Sequence, residues 1–394
     1  MSTVIIGNGG AALEGIIAIR SGGNTEDIHL FSDSLFPAFN PTLLTYFLAG
    51  KICLEEIFLY SADFYDKHSV KLHLGSKVIR LDAENKTVEN AAGVKKGYDD
   101  CIVCSGASPV IPKAYQGRRV YAIRSIRDAV ALKSQITNKK RALVVGASLI
   151  GVKVVEALVL QGVDTSLYDI GEHVFPLSAN KRCAELIESA LAANGVRLHL
   201  REEAPAPSQY DLIIVCTGVS PNISFIDKTQ VETDGGILVD KHMRTNREGL
   251  YAAGDVARVL DDRHENVAQG LWASARYMGR TAGRNIAGKI EACAPVIRHN
   301  STRFFGFDFA SIGDVSRGDD IFEMEAEGKY CALVWKEGCL TGINLFNMPE
   351  VSGILKSRVL GAQELSNIVV GKVFDKYPQI KEVFMNRRLP DENK

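Results

Sequence analysis

No run of five or more like charges occurs in the 394-residue chain, and 46 Lys plus Arg nearly balance 47 Asp plus Glu for a formal net charge of -1. That argues against a nucleic-acid-binding or membrane-surface tail, since either needs a concentrated basic block. Also missing is any stretch of the roughly 18 to 20 apolar residues that a spanning helix requires. Met1-Ser2-Thr3 leads directly into an apolar strand without a basic leader, so the expectation is a cytoplasmic protein with neither nucleic acid nor membrane as partner. The eight cysteines, at 53, 101, 104, 183, 216, 293, 331 and 339, lack the dense spacing of a disulfide scaffold and the repeated pairs of a zinc or iron-sulfur site. Cys101 and Cys104 form a Cys-x-x-Cys pair, but inside an apolar strand, where residues i and i+3 point to opposite faces. A redox pair of this spacing sits at a helix N-terminus that lowers the thiol pKa, so both read as core. There is no convincing His-Asp-Ser or paired-carboxylate constellation, and His68, His73, His199 and His264 stand isolated, without metal spacing.

What is present is a chain long enough, at 46% hydrophobic, for two or three domains. Two strand-turn-helix units stand far apart in it. The first is Val4-Ile5-Ile6, the turn Gly7-Asn8-Gly9-Gly10-Ala11-Ala12, a helix to about Arg20 and a strand from Ile28 to Phe31. The second is Ala142 to Val145, the turn Gly146-Ala147-Ser148-Leu149-Ile150-Gly151, a helix to about Gln161 and a strand from Thr165 to Tyr168. Right-handed crossovers of this kind imply parallel sheets covered by helices. An apolar strand from Tyr98 to Val103 ending in Cys104-Ser105-Gly106 has a counterpart from Tyr210 to Val215 ending in Cys216-Thr217-Gly218, as if one architecture were repeated. After Gly288 the pattern changes to antiparallel strands at 304–312, 330–335 and 340–346, with Glu337-Gly338 as a turn, followed by helices from Glu350 and from Ala362. The fold class read from this is α/β: two Rossmann-like nucleotide-binding domains plus a C-terminal α+β domain.

In the first turn, Gly7 and Gly9 let the backbone approach a pyrophosphate, Gly10 opens the helix, and Ala12 lets that helix pack on its strand while its first amides face the phosphate. The strand 249–253 runs into Gly254-Asp255, where an aspartate accepts from a flavin ribityl hydroxyl at a helix start. The acid for an adenosine ribose falls after the second strand, at Ser32 and Asp33. In the second turn Ser148 replaces the middle glycine and adds a hydroxyl beside the phosphate. Asp169 lies about 20 residues on, where a carboxylate pairs with a free 2′-hydroxyl and repels a 2′-phosphate, and no arginine follows it. NADH is therefore favoured over NADPH.

The succession 4–12, 98–109, 142–156, 210–222 and 249–257 resembles the pyridine nucleotide-disulfide oxidoreductase superfamily over nearly the whole chain. Ser32-Asp33, the Phe39 to Lys51 segment and Phe304 to Phe309 resemble its NADH-dependent branch, with rubredoxin reductases, nitrite reductase flavin domains, CoA-disulfide reductases and NADH oxidases. Gly-Ala-Ser-Leu-Ile-Gly together with a cysteine-free Asn-Pro-Thr segment is similar to the flavin subunits of phenylglyoxylate-type dehydrogenases. The resemblance implies an FAD domain at 1–112 and 234–294, an NAD domain at 113–233 and an interface domain at 295–394. It implies FAD contacts at Gly7, Gly9, Gly10, Ala12, Ser32, Asp33, Asn40, Val78, Ser105, Gly106, Gly254 and Asp255, and NADH contacts at Gly146, Ser148, Ile150, Gly151, Asp169 and Gly218.

Three departures bear on activity. Thr42 stands where cysteine-type members carry a redox thiol, and a threonine hydroxyl forms neither a charge-transfer thiolate nor a sulfenic acid. Pro41 stands in place of an arginine near the flavin. Lys153 stands where a glutamate often follows the second turn, reversing the charge. The implied activity is an FAD-dependent NADH:acceptor oxidoreductase whose partner is an iron-sulfur or other one-electron redox protein, either within a larger complex or with the chain as a homodimer. No Gly-Asp-Gly thiamine motif occurs, so in a 2-oxoacid dehydrogenase complex that chemistry resides elsewhere. A stand-alone NADH oxidase and a non-catalytic flavin-bearing docking subunit are the alternatives.

Overall fold

A computed structural model of the protein describes residues 2–61, 63–117, 119–137, 140–203, 205–260, 266–267, 270–293, 297–359 and 376–386. The chain divides into two compact units: Met1–Val110 with Ile123–Val130 and Gly218–Val296, and Ile111–Ala122 with Ala131–Thr217 and Ile297–Lys394.

The first unit is built on a parallel sheet in the order Leu250–Ala252, Asp100–Val103, Ser2–Ile6, Asp27–Phe31, Val70–His73. Its central strand is a nearly continuous apolar run, with Val4 and Ile5 fully buried, as a sheet covered on both faces requires. Helices Gly10–Ser21 and Trp272–Ile286 pack backbone against backbone: a Cβ at Gly279 would lie 2.0 Å from the Ala11 carbonyl oxygen, and one at Gly283 would lie 2.4 Å from that of Gly15. A three-stranded antiparallel sheet, Val78–Asp82, Thr87–Asn90 and Lys95–Gly97, completes the unit's regular structure beside smaller ladders. His73 lies in a strand, as its sequence suggests, but it is not isolated, and neither is His199, whose Nδ1 lies 2.6 Å from Glu202 Oε1 in the second unit. His73 Nε2 lies 3.1 Å from His29 Nδ1, and its ring stacks on Phe31. Strand register brings these residues together, and burial, aided by the neighbouring Lys96, pushes the His29 imidazole down to about 4. His264 lies outside the described residues.

The second unit holds a parallel sheet in the order Arg197–Leu200, Asp164–Asp169, Arg141–Val145, Leu212–Val215, Val120–Ala122. It also holds an antiparallel sheet in the order His299–Phe304, Phe307–Gly313, Cys339–Phe346, Lys329–Lys336, Asp320–Ala326. Glu337 and Gly338 adopt φ of 52° and 78°, the pattern of a tight hairpin turn, as their sequence predicts. Within this unit the antiparallel sheet is fastened by Asn180, which caps helix Lys181–Ala193. Asn180 donates its backbone N–H to Asn344 Oδ1 and its side-chain amide to Tyr330 Oη, each at 2.6 Å. Helix Pro349–Val359 follows, whereas the helix expected from Ala362 falls outside the described residues.

All eight cysteines are free, and burial raises the Cys101 and Cys104 thiols well above their ordinary range, consistent with a core role. Among the described residues no helix is long and apolar enough to cross a membrane, and no three His, Cys, Asp or Glu residues gather as metal ligands.

Candidate functional site

The first turn leaves its strand at Gly7, whose φ of +105° and close approach admit only glycine: a Cβ there would sit 2.2 Å from the Cys104 carbonyl oxygen. Gly9 caps helix Gly10–Ser21 without any side-chain hydrogen bond, and no acid stands in the first turn. The leading amides and the positive end of the helix dipole are thus left for an anion. A Cβ at Gly9 would meet nothing within 4 Å, while one at Gly10 would lie 2.7 Å from the Trp272 indole. Asn8 Nδ2 is buried and finds no acceptor among the described residues. An uncapped helix start and an unmatched buried donor suit a dinucleotide pyrophosphate, so these residues fit FAD.

Strand Leu250–Ala252 delivers Gly254, at φ +83°, and then Asp255. Asp255 Oδ2 accepts Arg124 Nη2 at 2.5 Å in a partly buried ion pair. Arg124 Nη2 also lies 3.8 Å from where a Gly106 Cβ would be, and the Arg124 and Ser125 N–H groups are held on Asp128 Oδ2 at 3.2 and 2.8 Å. Neighbouring Ser105 is fixed by Asn222, to whose carbonyl it donates at 2.8 Å. Arg124, a residue the sequence reading missed, thus stands beside both Asp255 and Gly106. Ser32 is buried, and its Oγ accepts Ser34 N–H at 3.2 Å, whereas Asp33 is exposed. Val78 is buried at the start of its strand. Asn40 acts locally: its Oδ1 accepts the Thr42 N–H at 3.0 Å and the Thr42 hydroxyl at 2.7 Å, holding exposed Thr42 at the head of the short turn Pro41–Leu43.

The second turn repeats the backbone of the first. Gly146 has φ +106°, and a Cβ on it would lie 2.5 Å from the Cys216 carbonyl oxygen; one on Gly151 would lie 1.9 Å from the Gly146 oxygen. Its finish differs. Ser148 caps helix Leu149–Leu160, accepting the Gly151 N–H and donating to the Cys216 carbonyl, each at 3.2 Å. Asp169 accepts the Ala147 N–H at 2.6 Å and the Gly171 N–H at 2.7 Å, which brings its carboxylate to the turn. Ile150 stands half-exposed on the first helical turn. Gly218, at φ +109°, stands at the head of strand Val219–Pro221, and its carbonyl accepts Val110 N–H at 3.0 Å.

The reversed charge at Lys153 is neutralised within one helical turn. Its ammonium pairs with buried Glu156 and donates to the Arg303 carbonyl at 2.6 Å, and Glu156 accepts the Phe305 N–H at 3.1 Å. Both side chains are largely buried, so the second helix is pinned to the Phe304–Phe307 turn by a compensated pair.

Residues 1–270 match the family described as pyridine nucleotide-disulphide oxidoreductase. The chain is 29% identical, over 92% of either sequence, to NADH-dependent phenylglyoxylate dehydrogenase subunit epsilon of Aromatoleum evansii. It is 25% identical to NADH-rubredoxin oxidoreductase of Clostridium acetobutylicum, over 91% of this chain and 95% of that one. Among solved structures, the covalent putidaredoxin reductase-putidaredoxin complex shares the fold with a TM-score of 0.85 at 19% identity, covering 91% of this chain and 92% of that one.

Proposed function

Because the chain belongs to the pyridine nucleotide-disulphide oxidoreductase family and is an NAD(P)H-dependent flavin oxidoreductase using FAD, we propose that it carries hydride from NADH to FAD and passes the electrons singly to an iron-sulfur or other one-electron partner protein. We further propose that it does so as the flavin subunit of a 2-oxoacid dehydrogenase complex of the phenylglyoxylate type. One observation carries this reading: two dinucleotide turns occur in a chain that has exposed Thr42, and no thiol, at the relay position. The likeness to the phenylglyoxylate dehydrogenase subunit over 92% of both chains supports the assignment to a complex. This sequence brings no iron-sulfur cysteine pattern of its own, so the acceptor is external.

FAD, when bound, takes up a hydride and releases electrons one at a time, and no protein acid-base pair is required for that. In this reading the protein's part is to bind and orient. The amides after Gly7 and Gly9 receive the pyrophosphate, and Asp255, steadied by Arg124, accepts from the ribityl chain. Ser32 and Asp33 face the adenosine ribose, and Asn40 fixes the turn that presents Thr42. On the NADH side, the turn from Gly146 to Gly151 holds the phosphates and Asp169 takes the ribose 2′-hydroxyl, a choice that disfavours a 2′-phosphate. The proposed domains are 1–112 with 234–294 for FAD, 113–233 for NADH and 295–394 as the interface domain.

Anaerobic mixing with NADH tests the proposal. The flavin absorbance should bleach, and an oxidised one-electron acceptor should restore it over repeated turnovers. A flavin that stays oxidised would leave only the docking-subunit alternative. Rapid NADH consumption with oxygen as sole acceptor would favour the oxidase.

A further inference from the structure

Asn8 lies between the two glycines of the first turn, and its amide is held from one side only. Tyr65, buried on the short helix Phe64–Lys67, accepts the backbone N–H of Ala38 at 3.1 Å, so its own proton is directed elsewhere, to Asn8 Oδ1 at 2.8 Å. This order of donors decides which end of the amide is which. The carbonyl faces Tyr65, and Nδ2 points away, buried, with no acceptor among the described residues. Leaving such a donor unmatched costs about 1–3 kcal/mol, and buried donors in folded proteins nearly always have partners.

We propose that Asn8 Nδ2 donates to a pyrophosphate oxygen of FAD, and that Tyr65 is the positioning residue that sets the amide for it. The proposal rests on the flavin reading above. It adds a side-chain donor to a turn otherwise offering backbone amides. It also ties the cofactor turn to Ala38, at the start of the segment that leads through Asn40 to Thr42.

The test is titration of flavin-stripped protein with FAD, followed by flavin fluorescence, in wild type, Asn8→Asp and Tyr65→Phe. Asn8→Asp keeps the size and the acceptor for Tyr65 but replaces the donor with a charge. Its Kd for FAD should rise about tenfold or more, the range of a hydrogen bond to a charged group, while the thermal midpoint of the stripped protein moves by less than ~3 °C. Lowering the pH should protonate the introduced carboxyl, return a donor and tighten FAD binding again, an effect absent from wild type. In Tyr65→Phe the amide is free to turn over, and the Kd should rise about threefold; this variant decides if Asn8→Asp does not fold. Unchanged affinity in the variants overturns the inference while leaving the flavin reading intact. A wild type that takes up no FAD overturns both.

Discussion

In the first turn the helix begins at Gly9 with no side chain capping it and with the Asn8 amide unmatched, whereas in the second Ser148 caps the Gly151 N–H and Asp169 occupies the Ala147 N–H. Both turns share the same positive-φ glycine pressed against a carbonyl from the neighbouring strand's end. What differs is how many donors remain unmatched without a ligand. At the first turn an anion completes bonds that nothing else makes. At the second it must replace bonds already formed, so its net gain is smaller. A resident cofactor suits the first condition, and a nucleotide that arrives and leaves in every turnover suits the second.

The strongest way to break this comparison is at the shared glycines. Gly7→Ala forces a Cβ 2.2 Å from a backbone oxygen at a φ that alanine rarely adopts, and should cost about 3 kcal/mol or more with loss of FAD on purification. Gly146→Ala should cost a similar amount in thermal unfolding yet retain the flavin. Next, Glu156→Gln removes the buried carboxylate that pairs with the Lys153 ammonium and accepts Phe305 N–H, and unfolding should register a loss of about 3 kcal/mol. Asp169→Ala should raise the NADH Kd about tenfold and narrow the preference over NADPH, read from the concentration dependence of flavin bleaching. Ser148→Gly removes the self-cap at a cost of a few tenths of a kcal/mol and releases Gly151 N–H. NADH should then bind about threefold more tightly, and weaker binding would mean that the hydroxyl itself serves the phosphate. Smallest of all, Thr42→Ala should leave the rate of flavin reduction by NADH within about twofold, because a side chain with no redox chemistry is not on the electron path.

Much of this architecture was legible because the hydrophobic period switches sharply at each turn. Val4 to Ile6 and Ala142 to Val145 are short buried runs closed by glycine, and each flows into a helix where the sequence places it. The outer strands of the antiparallel sheet were not legible. His299–Phe304 and Asp320–Ala326 lie at its two edges: the first is polar up to its last residue, and the second alternates Phe322 and Met324 with Glu323 and Glu325, acidic residues that strands disfavour. The site was read in part for a related reason. Gly7 and Gly146 are dictated locally by backbone shape, but Arg124 meets Asp255 across 131 residues of sequence, and Tyr65 meets Asn8 across 57. Nothing in the run Arg124-Ser125-Ile126 distinguishes it from an ordinary helix start. Likewise Lys153 read as a reversed charge because its neutraliser, Glu156, acquires that meaning only once both are buried on one helix face.

That pair also makes the two positions depend on each other. Restoring a glutamate at 153 by a single substitution would set two carboxylates one helical turn apart in a shielded place, where one must take up a proton or the helix must move. Altering Glu156 alone removes its carboxylate from beside the ammonium, which keeps its bond to the Arg303 carbonyl. Substitutions at 153 are therefore coupled to 156, and engineering of helix Leu149–Leu160 has to treat the two residues as one letter.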